Sequence, residues 1–71
     1  MQRFVLMYEG RGRAPRVDVK RLREHPDVQT FDENAAGSIL VDIAGSAHSF
    51  ARYVRERSGW DAIPVVTIDL S

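Results

Sequence analysis

The sequence predicts an α+β open sandwich in the order β-α-β-β-α-β, with a four-stranded antiparallel sheet. Three observations predict it. Residues 4–8 (Phe-Val-Leu-Met-Tyr) and 39–43 (Ile-Leu-Val-Asp-Ile) are the most hydrophobic stretches, each short and strand-like. A helical pattern follows each one. A further strand-like run follows each helix. Two β-α-β units in tandem use nearly all of the 71 residues, so one domain spanning 1–71 is expected.

The first strand is expected over residues 3–9. Phe4, Leu6 and Tyr8 point one way, Val5 and Met7 the other. Both sets are apolar, which marks a central strand. Gly10-Arg11-Gly12-Arg13-Ala14-Pro15-Arg16 breaks the alternation and reads as a loop. Asp18 is the expected N-cap of the first helix, with Val17 and Leu22 as a hydrophobic staple. Val19 and Leu22, three apart, supply its buried stripe. Pro26 disfavours helical geometry at His25 and ends the helix there.

Residues 28–32 read as a weaker, polar strand suited to a sheet edge. Residues 33–37 read as a hairpin connection, with Asn34 or Gly37 able to take positive φ. The third strand is expected over 38–44, with Ile39, Val41 and Ile43 on one face and Leu40 and Asp42 on the other. Ser46 caps the second helix, where Ala47, Phe50, Ala51 and Val54 recur at the helical spacing. Gly59 is the expected C′ residue, with Trp60 folding back toward Val54. The last strand is expected over 63–70. Pro64 cannot donate to a ladder and so belongs at an edge or a strand start.

Right-handed crossovers put both helices on one face and give the strand order 4-1-3-2. The richest strands are then inside, and the polar and proline-bearing strands outside. The other face is left uncovered. It is expected to carry Leu40, Asp42, Val65 and Thr67, with either Val5 and Met7 or their neighbours.

Composition narrows the function. Apolar content of 44% suits a globular chain. A core this small leaves roughly 3–5 kcal/mol of net stability, so dimerisation is a natural further source. The absence of cysteine excludes disulfides, zinc-cysteine sites and thiol nucleophiles. Ten basic and ten acidic side chains give zero formal charge. No general pull toward nucleic acid or an anionic membrane follows. No apolar run reaches the roughly 18 residues of a membrane span. The start enters a strand at once and lacks a signal-peptide cleavage pattern, so a cytoplasmic protein is expected.

No arrangement of side chains stands out as catalytic. His25 closes a helix, His48 falls in the first turn of the next, and no carboxylates are spaced to join them as metal ligands. Neither a metal nor another cofactor is expected. Gly10-Arg11-Gly12-Arg13 follows a strand and precedes a helix, yet lacks the glycine spacing of a phosphate loop. Arg11, Arg13 and Arg16 remain candidates for binding an anion or a nucleic-acid backbone. The third strand carries no aromatic for stacking bases, which counts against RNA recognition. Trp60 and Phe50 are explained by packing, and Ser46 by capping. Asp42 reads as a sheet-surface residue or a guard against sheet stacking.

The layout resembles the ferredoxin-like small domains. Within these it is similar to the propeptide and inhibitor domains of subtilisin-like proteases. The matching pieces are Leu22 with Pro26-Asp27-Val28, Ser38-Ile39-Leu40-Val41-Asp42, and Gly59-Trp60 leading to Ile63-Pro64-Val65-Val66. That resemblance implies docking of the open sheet face on a protease, with a C-terminal tail entering its active site. Almost no tail is expected beyond a strand that runs to residue 70. The first expectation is therefore a non-enzymatic domain that binds a protein partner or a second copy of itself. Its surface is Val5, Met7, Leu40, Val65 and Thr67. Protease inhibition, and anion or nucleic-acid binding through the loop arginines, are the alternatives.

Overall fold

A computed structural model describes residues 1–33 and 38–66. Its elements are β1 (Gln2–Tyr8), α1 (Arg16–Arg23), β2 (Val28–Glu33), β3 (Ser38–Ile43), α2 (Ala47–Arg55) and β4 (Trp60–Val65). The sheet order is β2-β3-β1-β4, with β1 antiparallel to both β3 and β4 and β3 antiparallel to β2. This is the ferredoxin-like open sandwich, with both helices on one face of the sheet. No helix among the described residues is long and apolar enough to cross a membrane.

The core follows from period-two alternation in the strands meeting the helical stripe. Phe4 and Leu6 from β1, Ile39, Val41 and Ile43 from β3, and Trp60 and Ala62 from β4 point at the helices. Val19 and Leu22 of α1 and Phe50, Ala51 and Val54 of α2 meet them. Phe50 is fully buried and lies 5.6 Å from Phe4, ring centre to ring centre.

The helix α2 begins as its sequence requires. The Ser46 hydroxyl accepts from the Ser49 N–H at 3.1 Å, which satisfies one of the free donors of the first turn. The helix α1 begins earlier than Asp18. Pro15 sits at its N-cap with φ −58°, and its carbonyl accepts from Asp18 and Val19. Asp18 is therefore inside the first turn, where a carboxylate suits the helix dipole. Its Oδ2 accepts from Trp60 Nε1 at 3.2 Å. The expected staple is absent too, since Val17 is 57% exposed. Pro26 acts as expected: the helix stops at its cap residue Glu24.

Two further differences concern β2 and β4. The ladder between β2 and β3 shifts register between Val28 and Thr30, which leaves Gln29 as an extra residue. Val28 and Phe31 are three apart, so a regular strand would place them on opposite faces. The bulge lets both pack against the core. At the other edge, α2 is capped at Glu56, so Gly59 is not its C′ residue. Gly59 instead lies in a turn, with φ +86°, closed by the Trp60 N–H donating to Arg57 O at 3.2 Å. Trp60 shares the core with Val54 but does not serve as the residue after a helix cap. It opens β4 opposite Tyr8, with ring centres 5.4 Å apart. β4 consequently starts three residues before the expected position. The hairpin expected at 33–37 and the strand end expected at 67–70 fall, apart from Glu33, outside the described residues.

Candidate functional site

The side of the sheet away from the helices forms rows set by the register. Asp32, Leu40, Val5 and Ile63 lie opposite one another across four strands. On one side of that row run Thr30, Asp42, Arg3 and Val65; on the other run Ser38, Met7 and Asp61. Val5, Leu40 and Val65 are half-buried by their neighbours. Met7 and Ile63 are 39% and 43% exposed, high for residues of their size inside a sheet.

Of the residues expected on this surface, Val5, Met7, Leu40 and Val65 are brought together. Thr67 lies outside the described residues. Ile63, on the edge strand β4 opposite Val5, also belongs to the face and was not expected there, although the expected strand of 63–70 contained it. Its two-residue spacing from Val65 was the available signal.

Two carboxylates of the face, Asp42 and Asp61, are engaged within the chain. Arg3 donates to Asp42 at 2.8 and 3.3 Å, and the Thr30 hydroxyl donates to the same carboxylate at 2.9 Å. The Arg3 bond, then the Thr30 bond, holds the Asp42 carboxyl below its ordinary range, and the Asp42 carboxylate holds Arg3 above its own. Asp61 is lowered chiefly by Arg55, which donates at 3.1 Å, and next by the Ala62 N–H.

These shifts carry a sign for stability. A carboxyl lowered by folding stabilises the fold above its ordinary value of 3.8 and loses that contribution as pH falls through its folded value. The urea midpoint should therefore drop as the solution is acidified below the ordinary carboxylate range. Asp42→Asn should flatten that drop, because it removes one of the groups that titrate. Both pairs are exposed, so the effect is small. An acid limb as steep in Asp42→Asn as in the wild type would contradict the assignment.

The loop arginines do not act as a set. Arg13 and Arg16 line a cleft of about 480 Å³ between the loop after β1 and the facing ends of β2 and β3. Arg11 is not among its walls. Glu33 stands across from them, 3.6 Å from Arg16 and 2.6 Å from Arg23. Arg23 also lies over the Phe31 ring at 5.1 Å.

The two histidines lie apart from this face and differ in surroundings. The His25 ring meets Phe50 and Tyr53 edge-on, and its Nδ1 accepts from the Asp27 N–H at 3.1 Å. His48 is exposed on α2. No group of three or more histidine, cysteine or acidic side chains is placed to hold a metal among the described residues.

The fold and this face define a small α+β sheet domain in which, among the described residues, both helices lie on one side of the sheet. Compared with family models, with curated proteins and with solved structures, the chain matches none of them.

Proposed function

We propose that the protein is a non-enzymatic interaction domain, and that two copies pair through their open sheet faces. The observation that carries this reading is the apolar patch of Val5, Met7, Leu40, Ile63 and Val65 on the bare side of the sheet. Apolar surface held in water is unfavourable by roughly 25 cal/mol per Å², which covering it recovers before association costs.

Charge on the face favours a second copy over a partner of opposite sign. Arg3 is matched by Asp42, and Asp61 by Arg55, within one chain. Two such faces can meet with no charge left unpaired at the centre, and the exposed Asp32 stands on the outer strand β2, at the rim. A two-fold pairing uses the same patch twice, so self-complementarity is sufficient. The small core supplies the motive, since it leaves only a few kcal/mol of net stability.

Sedimentation equilibrium tests the proposal. The wild type should approach twice the 8.0 kDa chain mass as concentration rises. Leu40→Glu should hold at the monomer mass, because it places a carboxylate in the middle of the patch. Leu40 is half-buried on the surface of the sheet, so the variant should keep its far-ultraviolet circular dichroism. Monomer mass for the wild type at every concentration would end the reading. So would dimers that persist in a folded Leu40→Glu protein.

A further inference from the structure

The cleft beside α1 touches the apolar patch of the open face at Met7, which lines both, but the rest of its lining is different in chemistry. Its inner wall is aromatic and aliphatic: Tyr8, Val19, Ile39 and Trp60. Tyr8 and Trp60 pack with ring planes inclined at 55°. The indole is held by its hydrogen bond to Asp18. The wall is thus set in place before anything binds, which lowers the entropy cost of binding. The volume, about 480 Å³, falls in the range of small-molecule sites.

The mouth is cationic although the chain is neutral. Two guanidinium groups, of Arg13 and Arg16, line it with one carboxylate, of Glu33. That carboxylate is already engaged by Arg23, at 2.6 Å. Arg16 reaches Glu33 only at 3.6 Å. No ion pair joins Arg13 to a described residue, and Arg13 is exposed. A planar guanidinium with free donors matches a carboxylate or a phosphate.

We propose that this cleft binds a small aryl anion, with its ring against Tyr8 and Trp60 and its anionic group held by Arg13 and Arg16. The apolar wall and the positive mouth call for those two halves in one molecule. A bare inorganic ion would leave the wall uncovered. A neutral ring would leave the arginines unmatched.

Trp60 is the chain's one tryptophan, so its emission reports on the cleft directly. The wild-type protein is titrated with phenyl phosphate, with phenylacetate and with inorganic phosphate. A saturable change in Trp60 emission is expected with at least one aryl anion, and whichever binds more tightly identifies the headgroup. Inorganic phosphate should bind at least tenfold more weakly than the aryl anion. Arg13→Gln should weaken aryl-anion binding about tenfold, the scale of one lost charge-assisted hydrogen bond. Arg11→Gln should leave it unchanged, since Arg11 is outside the cleft. Leu40→Glu should also leave it unchanged, which separates this site from the pairing face. The proposal is overturned if neither aryl anion gives saturation. It is equally overturned if inorganic phosphate binds as tightly, or if Arg11→Gln weakens binding as much as Arg13→Gln.

Discussion

Phe50→Ala should lower the unfolding free energy by about 3–5 kcal/mol, the usual cost of removing a buried ring from a core. Phe50 is completely buried on α2. It meets Phe4 from β1 at 5.6 Å and the ring of His25, in the segment after α1, at 5.1 Å, centre to centre. One side chain therefore links α2 to the central strand and to the segment that follows α1. The expected cost equals the whole stability estimated for a core of this size. The variant should be largely unfolded at room temperature when dilute enough to be monomeric. Urea titration followed by circular dichroism checks this. A variant that keeps a cooperative transition within about 1 kcal/mol of the wild type would show that Phe50 is not the keystone of this core.

Gly59→Ala should cost about 2–5 kcal/mol, from two sources that can be separated. Gly59 has φ +86°, where a Cβ costs roughly 1–2 kcal/mol. A Cβ at this position would also lie 2.8 Å from Tyr8 Cε1 and 3.2 Å from the backbone nitrogen of Gly10. The Tyr8 ring has little freedom to retreat because Trp60 packs against it. That crowding adds roughly another 1–3 kcal/mol. The turn matters because Gly59 O accepts from the Glu9 N–H at 2.6 Å, which joins the start of β4 to the end of β1. Gly12 provides the comparison. It also has positive φ, +72°, but nothing lies within 4 Å of its would-be Cβ. Gly12→Ala should therefore show the backbone cost alone. Equal urea midpoints for the two alanine variants would refute the packing half of the argument.

Both substitutions act where distant segments meet, and that is also where the sequence is least informative. Phe50 is legible as a core residue because it recurs with Ala47, Ala51 and Val54 at helical spacing. Gly59 is legible as a positive-φ residue, yet its neighbour Trp60 was expected to close α2 and instead begins a strand. A tryptophan after a glycine has the same local pattern in either case. Its partners decide between them: Tyr8 beside it and Asp18, 42 positions away in sequence.

The candidate face shows the same division. Leu40, Val5 and Met7 fall on one side by parity alone, once β1 and β3 are known to pair. Ile63 shares the parity of Val65, and the pairing of β4 with β1 places it opposite Val5. Arg13 and Arg16 look like members of a run with Arg11. The path of the loop separates them from it and sets them around a cleft.

By itself the sequence determined the number, kind and order of the elements, the strand order, the buried stripe of each helix and the Ser46 cap. The strand order follows from the hand of the crossovers; the others rest on periodicity and on hydrogen bonds between residues a few positions apart, which a short segment expresses locally. Only the tertiary structure decided where α1 and β4 begin, the bulge at Gln29 that turns both Val28 and Phe31 inward, and which residues surround the cleft. Those features depend on contacts between residues far apart in the chain. Such contacts cost backbone entropy to form and are held only when the whole sheet has closed on its helices.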